Sequence, residues 1–127
     1  MKIAATAARF LLGSIFLVFG LNGFLNFIPQ PPLEAGPAQQ LLMALITSHY
    51  SAVIFGLQIA AAILFLTNRY VPLGLTIIGP VIVNILFFHL LMQPAGLPLA
   101  GVVAILWFVL AYWERSAFTG IFQASRE

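Results

Sequence analysis

Four apolar runs, cut by short polar joints, set the pattern of this chain. They cover about Ile3 to Phe27, Ser51 to Leu66, Val71 to Leu91 and Leu99 to Trp113. The third, VPLGLTIIGPVIVNILFFHLL, contains no acid, lysine or arginine. At ~1.5 Å rise per residue it is just long enough to cross ~30 Å of hydrocarbon. The pattern therefore predicts four membrane-spanning helices. Between the first two runs lies FIPQPPLEAGPAQQ, with Pro29, Pro31, Pro32 and Pro37. No helix survives that density of prolines, so this is an irregular loop outside the hydrocarbon. Ala38 to Thr47 is helical in character but too short to span, and reads as an outer half-helix at the interface. One long tilted helix from Gln40 to Leu66 is the alternative, and the residues do not decide between the two. The joint Thr67-Asn68-Arg69-Tyr70 is so short that the second and third spans must be antiparallel neighbours. Gln93-Pro94-Ala95-Gly96 makes a turn, and Pro98 opens the last helix.

Composition fits that picture. The chain has 127 residues, 62% hydrophobic and only 6% charged. A soluble domain carries about 25% charged residues, so there are too few here to cover a water-facing surface. The basic residues instead report threading. Lys2, Arg9, Arg69, Arg115 and Arg126 all fall on the side shared by the two termini and the middle joint, and the other two joints have none. The positive-inside rule then puts both termini in the cytoplasm, with the Pro-rich loop and the QPAG turn outside. The fold class is all-α: one transmembrane domain over residues 1–127, an N-in/C-in four-helix bundle with a short outer half-helix before the second span. The first run reads as an uncleaved span that also directs insertion. The bilayer is the first partner. A net charge of +2 without a basic patch gives no reason to expect nucleic acid. The absence of cysteine excludes disulfides, thiolate metal sites and dithiol relays.

Several residues have packing roles. Gly13, Gly20 and Gly23 allow a neighbouring backbone to come close, and Ala52, Gly56 and Ala60, every fourth residue, form a stripe suited to tight helix contact. Pro80 removes an amide donor in mid-span and predicts a kink. Arg9 can snorkel to the interface, Tyr112 and Trp113 are interfacial anchors, and the tail from Glu114 lies on the membrane surface.

The candidate chemistry is polar and uncharged. With this threading Asn22, Asn26, Asn84 and His89 lie in the outer half, His49 heads the second span there, and Gln58 is near the midplane. Such groups are costly against lipid, so they should face the bundle interior or a wet cavity. Together they predict an outward-opening polar pocket, roofed by the Pro-rich loop and half-helix and walled by Phe24, Phe27, Phe88 and Trp107. Each has a plainer reading beside it. The amides can bond between helices for about 0.6 kcal/mol each, the histidines can bond a loop carbonyl, and the aromatics can simply pack. The only acids, Glu34, Glu114 and Glu127, sit in a loop or at the inner terminus, so no Ser-His-acid site forms and no catalytic residue is assigned. Two histidines without an acid or cysteine make a poor zinc set, and both lie too near the surface for a bis-His haem. No phosphate loop and no charged relay is present. A quinone headgroup needs one or two hydrogen bonds, an aromatic wall and a lipid-side entrance; His89, Asn84 and Asn22 could supply the bonds, and a bound lipid or sterol-like molecule is equally allowed.

The opening RFLLGSIFLVFGLNGFLNFIPQPP, the joint LTNRYVPLGL, then PVIVNILFFHLL and PAGLP together resemble the small bacterial DoxX family over nearly the whole chain. The resemblance implies a four-helix membrane protein related to the membrane subunit of thiosulfate:quinone oxidoreductase. It also implies association with membrane redox complexes, here as an accessory subunit. The wider superfamily includes membrane proteins that help fold or export others. The alternative it implies is therefore a non-enzymatic assembly factor or scaffold that grips partner transmembrane helices or further copies of itself. Many relatives carry Glu in the second span where this chain has Gln58, a departure that weakens a catalytic reading.

Overall fold

Punctuating residues place each helix boundary in the computed structural model, which describes residues 1–125. Helix α1, Lys2–Leu25, stops at Asn26, whose backbone turns left-handed at φ 52°, a conformation Asn tolerates better than most residues. This end lies two residues before the Phe27 expected from hydrophobicity. Pro37 occupies the first turn of α2, Pro37–Thr47, where its missing N–H costs nothing. Ser48 and a left-handed His49, φ 63°, then separate α2 from α3, Tyr50–Thr67. The stretch left open by the sequence is thus two helices. Left-handed Asn68 and Tyr70 bracket the tight joint to α4, Val71–Leu91. After a single 3₁₀ turn at Pro94–Gly96, α5 covers Leu97–Trp113, starting two residues before the expected Leu99, with Pro98 in its first turn. A 3₁₀ segment, Arg115–Phe122, follows.

Four of these helical stretches are long and apolar enough to cross a membrane: α1, α3, α4 and Pro94–Trp113. Helix α1 packs on α3 and α5, and α4 packs on the same two, while α2 makes its main contact with α3. Leu12, Phe65, Leu75, Ile78 and Leu110 are fully buried at the centre. The α1–α3 seam is closed by the glycines of α1. A methyl group added at Gly13 would sit 2.7 Å from Leu66 Cγ, one at Gly20 2.8 Å from Ile59 Cγ1, and one at Gly23 would overlap the Phe55 ring. The three pairs run in opposite directions along the two chains, so the helices are antiparallel and in near contact. The close-packing role expected of these glycines is what the structure shows.

The stripe on α3 behaves otherwise. Ala52, Gly56 and Ala60 are exposed, and nothing lies within 4 Å of a methyl placed on Gly56. The buried face of α3 is Gln58, Ala61, Ala62 and Phe65. The small-residue stripe thus points away from the other helices. Helix α4 continues unbroken through Pro80. Side chains of that helix return to its own carbonyls, Thr76 Oγ1 donating to Pro72 O at 3.0 Å and Asn84 Nδ2 to Pro80 O at 2.8 Å.

Candidate functional site

The predicted site residues fall into separate settings. Asn22, buried in the last turn of α1, accepts the Ile28 N–H on Oδ1 at 2.7 Å. It thereby folds the start of the Pro-rich loop back over the helix end and gives the Ile28 N–H of that loop its acceptor. Asn26 is exposed and forms the left-handed cap. His49 is likewise exposed, at the break between α2 and α3. His89 is half-buried, donates from Nδ1 to Gln93 O at 3.0 Å, and lies flat against the backbone of Gly96, so that it ties the end of α4 to the turn. Phe88 meets the His89 ring edge-on, centroids 5.1 Å apart.

Asn84 departs from expectation. Its side chain is exposed rather than turned to the interior, on the face of α4 opposite Ile82 and Ile78, and bonds its own helix. Trp107 is a tie between helices: Nε1 donates to Leu75 O at 3.0 Å, and its ring covers Gly79. Phe27 is exposed; Phe24 is half-exposed and stands edge-on to Phe55, centroids 6.3 Å apart.

Gln58 is the exception among the polar side chains. It is only 6% exposed, with its Cβ facing Gly20 across the α1–α3 seam. Its amide makes no hydrogen bond to any described residue, yet it is not fully sealed from outside. Phe55 lies on the same seam against Gly23 and meets Phe24 edge-on, so the seam holds Gln58 and an aromatic pair of which only Phe24 was among the predicted wall residues.

A second feature was missed by the sequence reading. At the opposite end from the Pro-rich loop, Lys2, Ala5, Thr6 and Arg9 of α1 meet Asn68 after α3 and Leu110, Trp113 and Glu114 at the end of α5 around a cavity of about 130 Å³. Arg9 does more than snorkel there: Nη1 donates to the Phe65 carbonyl at 2.5 Å, and the guanidinium carbon lies 4.4 Å from the Phe10 ring centroid. A cation on the last carbonyls of α3 complements that helix dipole. The signal was present in the sequence as Lys2, Thr6 and Arg9, spaced four and three apart on one helix face. A larger apolar groove of about 500 Å³ runs between Trp107, Phe108, Ala111 and Tyr112 of α5 and the 3₁₀ residues Phe118, Ile121 and Phe122. The described basic residues Lys2, Arg9, Arg69 and Arg115 all belong to this end. Arg126 and Glu127, used in the threading argument and the count of acids, lie outside the described residues. Comparisons of the chain with protein-family models, curated proteins and solved structures found no match to any of them.

Proposed function

We propose that the chain is a DoxX-like inner-membrane protein of bacteria, a four-helix bundle with both termini cytoplasmic. In this reading it is a non-catalytic accessory subunit of a quinone-linked redox system. The threading is supported by the gathering of Lys2, Arg9, Arg69 and Arg115 at one end, away from a Pro-rich loop without Lys or Arg. The function rests on Gln58. Its amide has no partner among the described residues and its polar atoms are not sealed inside the protein, while inside a bilayer water is not there to satisfy them. A group kept in that state fits a hydrogen bond to something outside the chain. The head must accept from an amide N–H and stack beside an aromatic pair, and it must arrive through lipid. A quinone carbonyl has those properties. Gln58 cannot act as a proton carrier, which favours holding the ligand over turning it over.

Purification of wild type and Gln58→Leu in mild detergent tests this, with extraction of co-purified isoprenoid quinones and thermal unfolding with and without a short-chain quinone. The expected result is quinone in the wild-type extract, a quinone-dependent rise in its midpoint, and neither in Gln58→Leu. The ligand-free variant should be at least as stable as wild type, because it no longer presents an unpaired amide to lipid. Absence of quinone and of any midpoint shift in wild type would overturn the reading. Recovery of a membrane protein partner with wild type alone would replace it with the scaffold role.

A further inference from the structure

We propose that the cavity shared by the start of α1 and the ends of α3 and α5 binds the phosphate of an anionic phospholipid headgroup. The site is distinct from the Gln58 seam, and the inference needs only that the helices cross a membrane. It begins with charge. Lys2 and Arg9 line the cavity against a single acid, Glu114. No ion pair joins any of these three to another described residue, with 4.0 Å as the limit. The acid therefore does not neutralise the cations, and the walls keep a net positive charge.

Donors come next. Arginine has five N–H donors, and the bond to Phe65 O together with the Phe10 contact fixes the guanidinium while committing one of them. A planar fork held in this way is suited to oxyanions. The Thr6 hydroxyl, the Asn68 amide and the exposed Lys2 ammonium supply further donors around the same space. The first turn of α1 adds N–H groups with no side-chain cap and no acid within that turn, the positive end of a helix dipole.

Size and setting select the ligand. A volume of about 130 Å³ equals roughly four waters at ~30 Å³ each. That admits a phosphate with part of its headgroup, in a cavity open on one side. Lys2 and Arg9 are seven residues apart, about 10 Å along the helix, so the site runs from the membrane surface toward the hydrocarbon. Trp113, 42% exposed at its rim, is the residue type that settles among headgroups. Basic pockets between helices at this level are where lipid phosphates bind.

The test measures lipid retention by native mass spectrometry of the full chain, released from detergent containing equal phosphatidylglycerol and phosphatidylcholine, with inorganic phosphate as a separate arm. Arg9 also caps α3, so the variants are Lys2→Gln and Glu114→Gln, which leave the helix packing intact. Wild type should prefer phosphatidylglycerol. Lys2→Gln should reduce that preference about fivefold, the effect of one basic residue near the surface, Glu114→Gln should increase it, and raised salt should weaken it. Equal retention of the two lipids, or a preference untouched by both variants, overturns the proposal. Displacement of the lipid by inorganic phosphate at a comparable concentration also overturns it, in favour of a free-phosphate site.

Discussion

The α1–α3 seam allows one chemical change to be made in two places with opposite results. Gly20→Ala puts a methyl 2.8 Å from Ile59 Cγ1 and 3.2 Å from the Phe55 carbonyl oxygen. The second contact is backbone and cannot swing aside, so the helices must separate. Overpacking of this kind costs about 1–3 kcal/mol. Replacing Gly by Ala in a helix returns about 0.8–1.0 kcal/mol through backbone propensity. Gly20→Ala should therefore destabilise by about 0–2 kcal/mol net. Gly56→Ala, on the exposed face of α3, meets nothing within 4 Å and should keep the whole gain of about 0.8–1.0 kcal/mol. Propensity cancels between the variants, so their difference isolates the clash at about 1–3 kcal/mol. Equilibrium unfolding in mixed micelles, followed by the fluorescence of Trp107 and Trp113, measures both. If the two variants shift together to within about 0.5 kcal/mol, the scatter expected of neutral surface changes, the seam is not closed by Gly20 and the packing argument fails.

Trp107→Phe keeps an aromatic ring over Gly79 but removes the donor to Leu75 O. It should cost about 1 kcal/mol, read as a lower thermal midpoint in detergent; an unchanged midpoint would mean the bond does not tie α5 to α4. Asn22→Ala strands the half-buried Ile28 N–H and should cost about 1 kcal/mol. Hydrogen exchange at Ile28 should quicken in the same variant, and an unaltered rate would refute the loop-anchoring role of Asn22.

The spans were legible because length and hydropathy alone decide whether a helix can cross a bilayer. The side each helix turns inward was harder to read. In water an apolar stripe marks the buried face, but in lipid both faces are apolar and the stripe vanishes. On α3 that left two stripes to choose from, and the small residues Ala52, Gly56 and Ala60 looked suited to contact. Gln58 carried the better signal. Counting three, four and seven residues on from it gives Ala61, Ala62 and Phe65, which are the buried positions, and puts Gly56 and Ala60 on the far side. On α1 the glycines were decisive because no other residue permits that approach. The cavity around Arg9 went unread for a different reason. Its walls come from three helix ends that only the fold brings together.

Phasing by a polar residue works on α3 and fails on α4, and the difference has a physical cause. Helix α4 buries Val71, Gly74, Leu75, Ile78 and Ile82, so Asn84, two residues past the last of these, stands on the outer face. The rule that polar groups turn inward assumes that lipid leaves them unsatisfied. Asn84 escapes part of that penalty, because its Nδ2 reaches the Pro80 carbonyl one turn back. Gln58 makes no such return bond. An amide that bonds its own helix is freed from the interior and carries no information about a ligand. An amide that forgoes this bond while 6% exposed retains a binding capacity that the fold leaves open. Of the two amides in mid-span, only Gln58 is therefore a reason to look for a ligand, and the α1–α3 seam is the place to look.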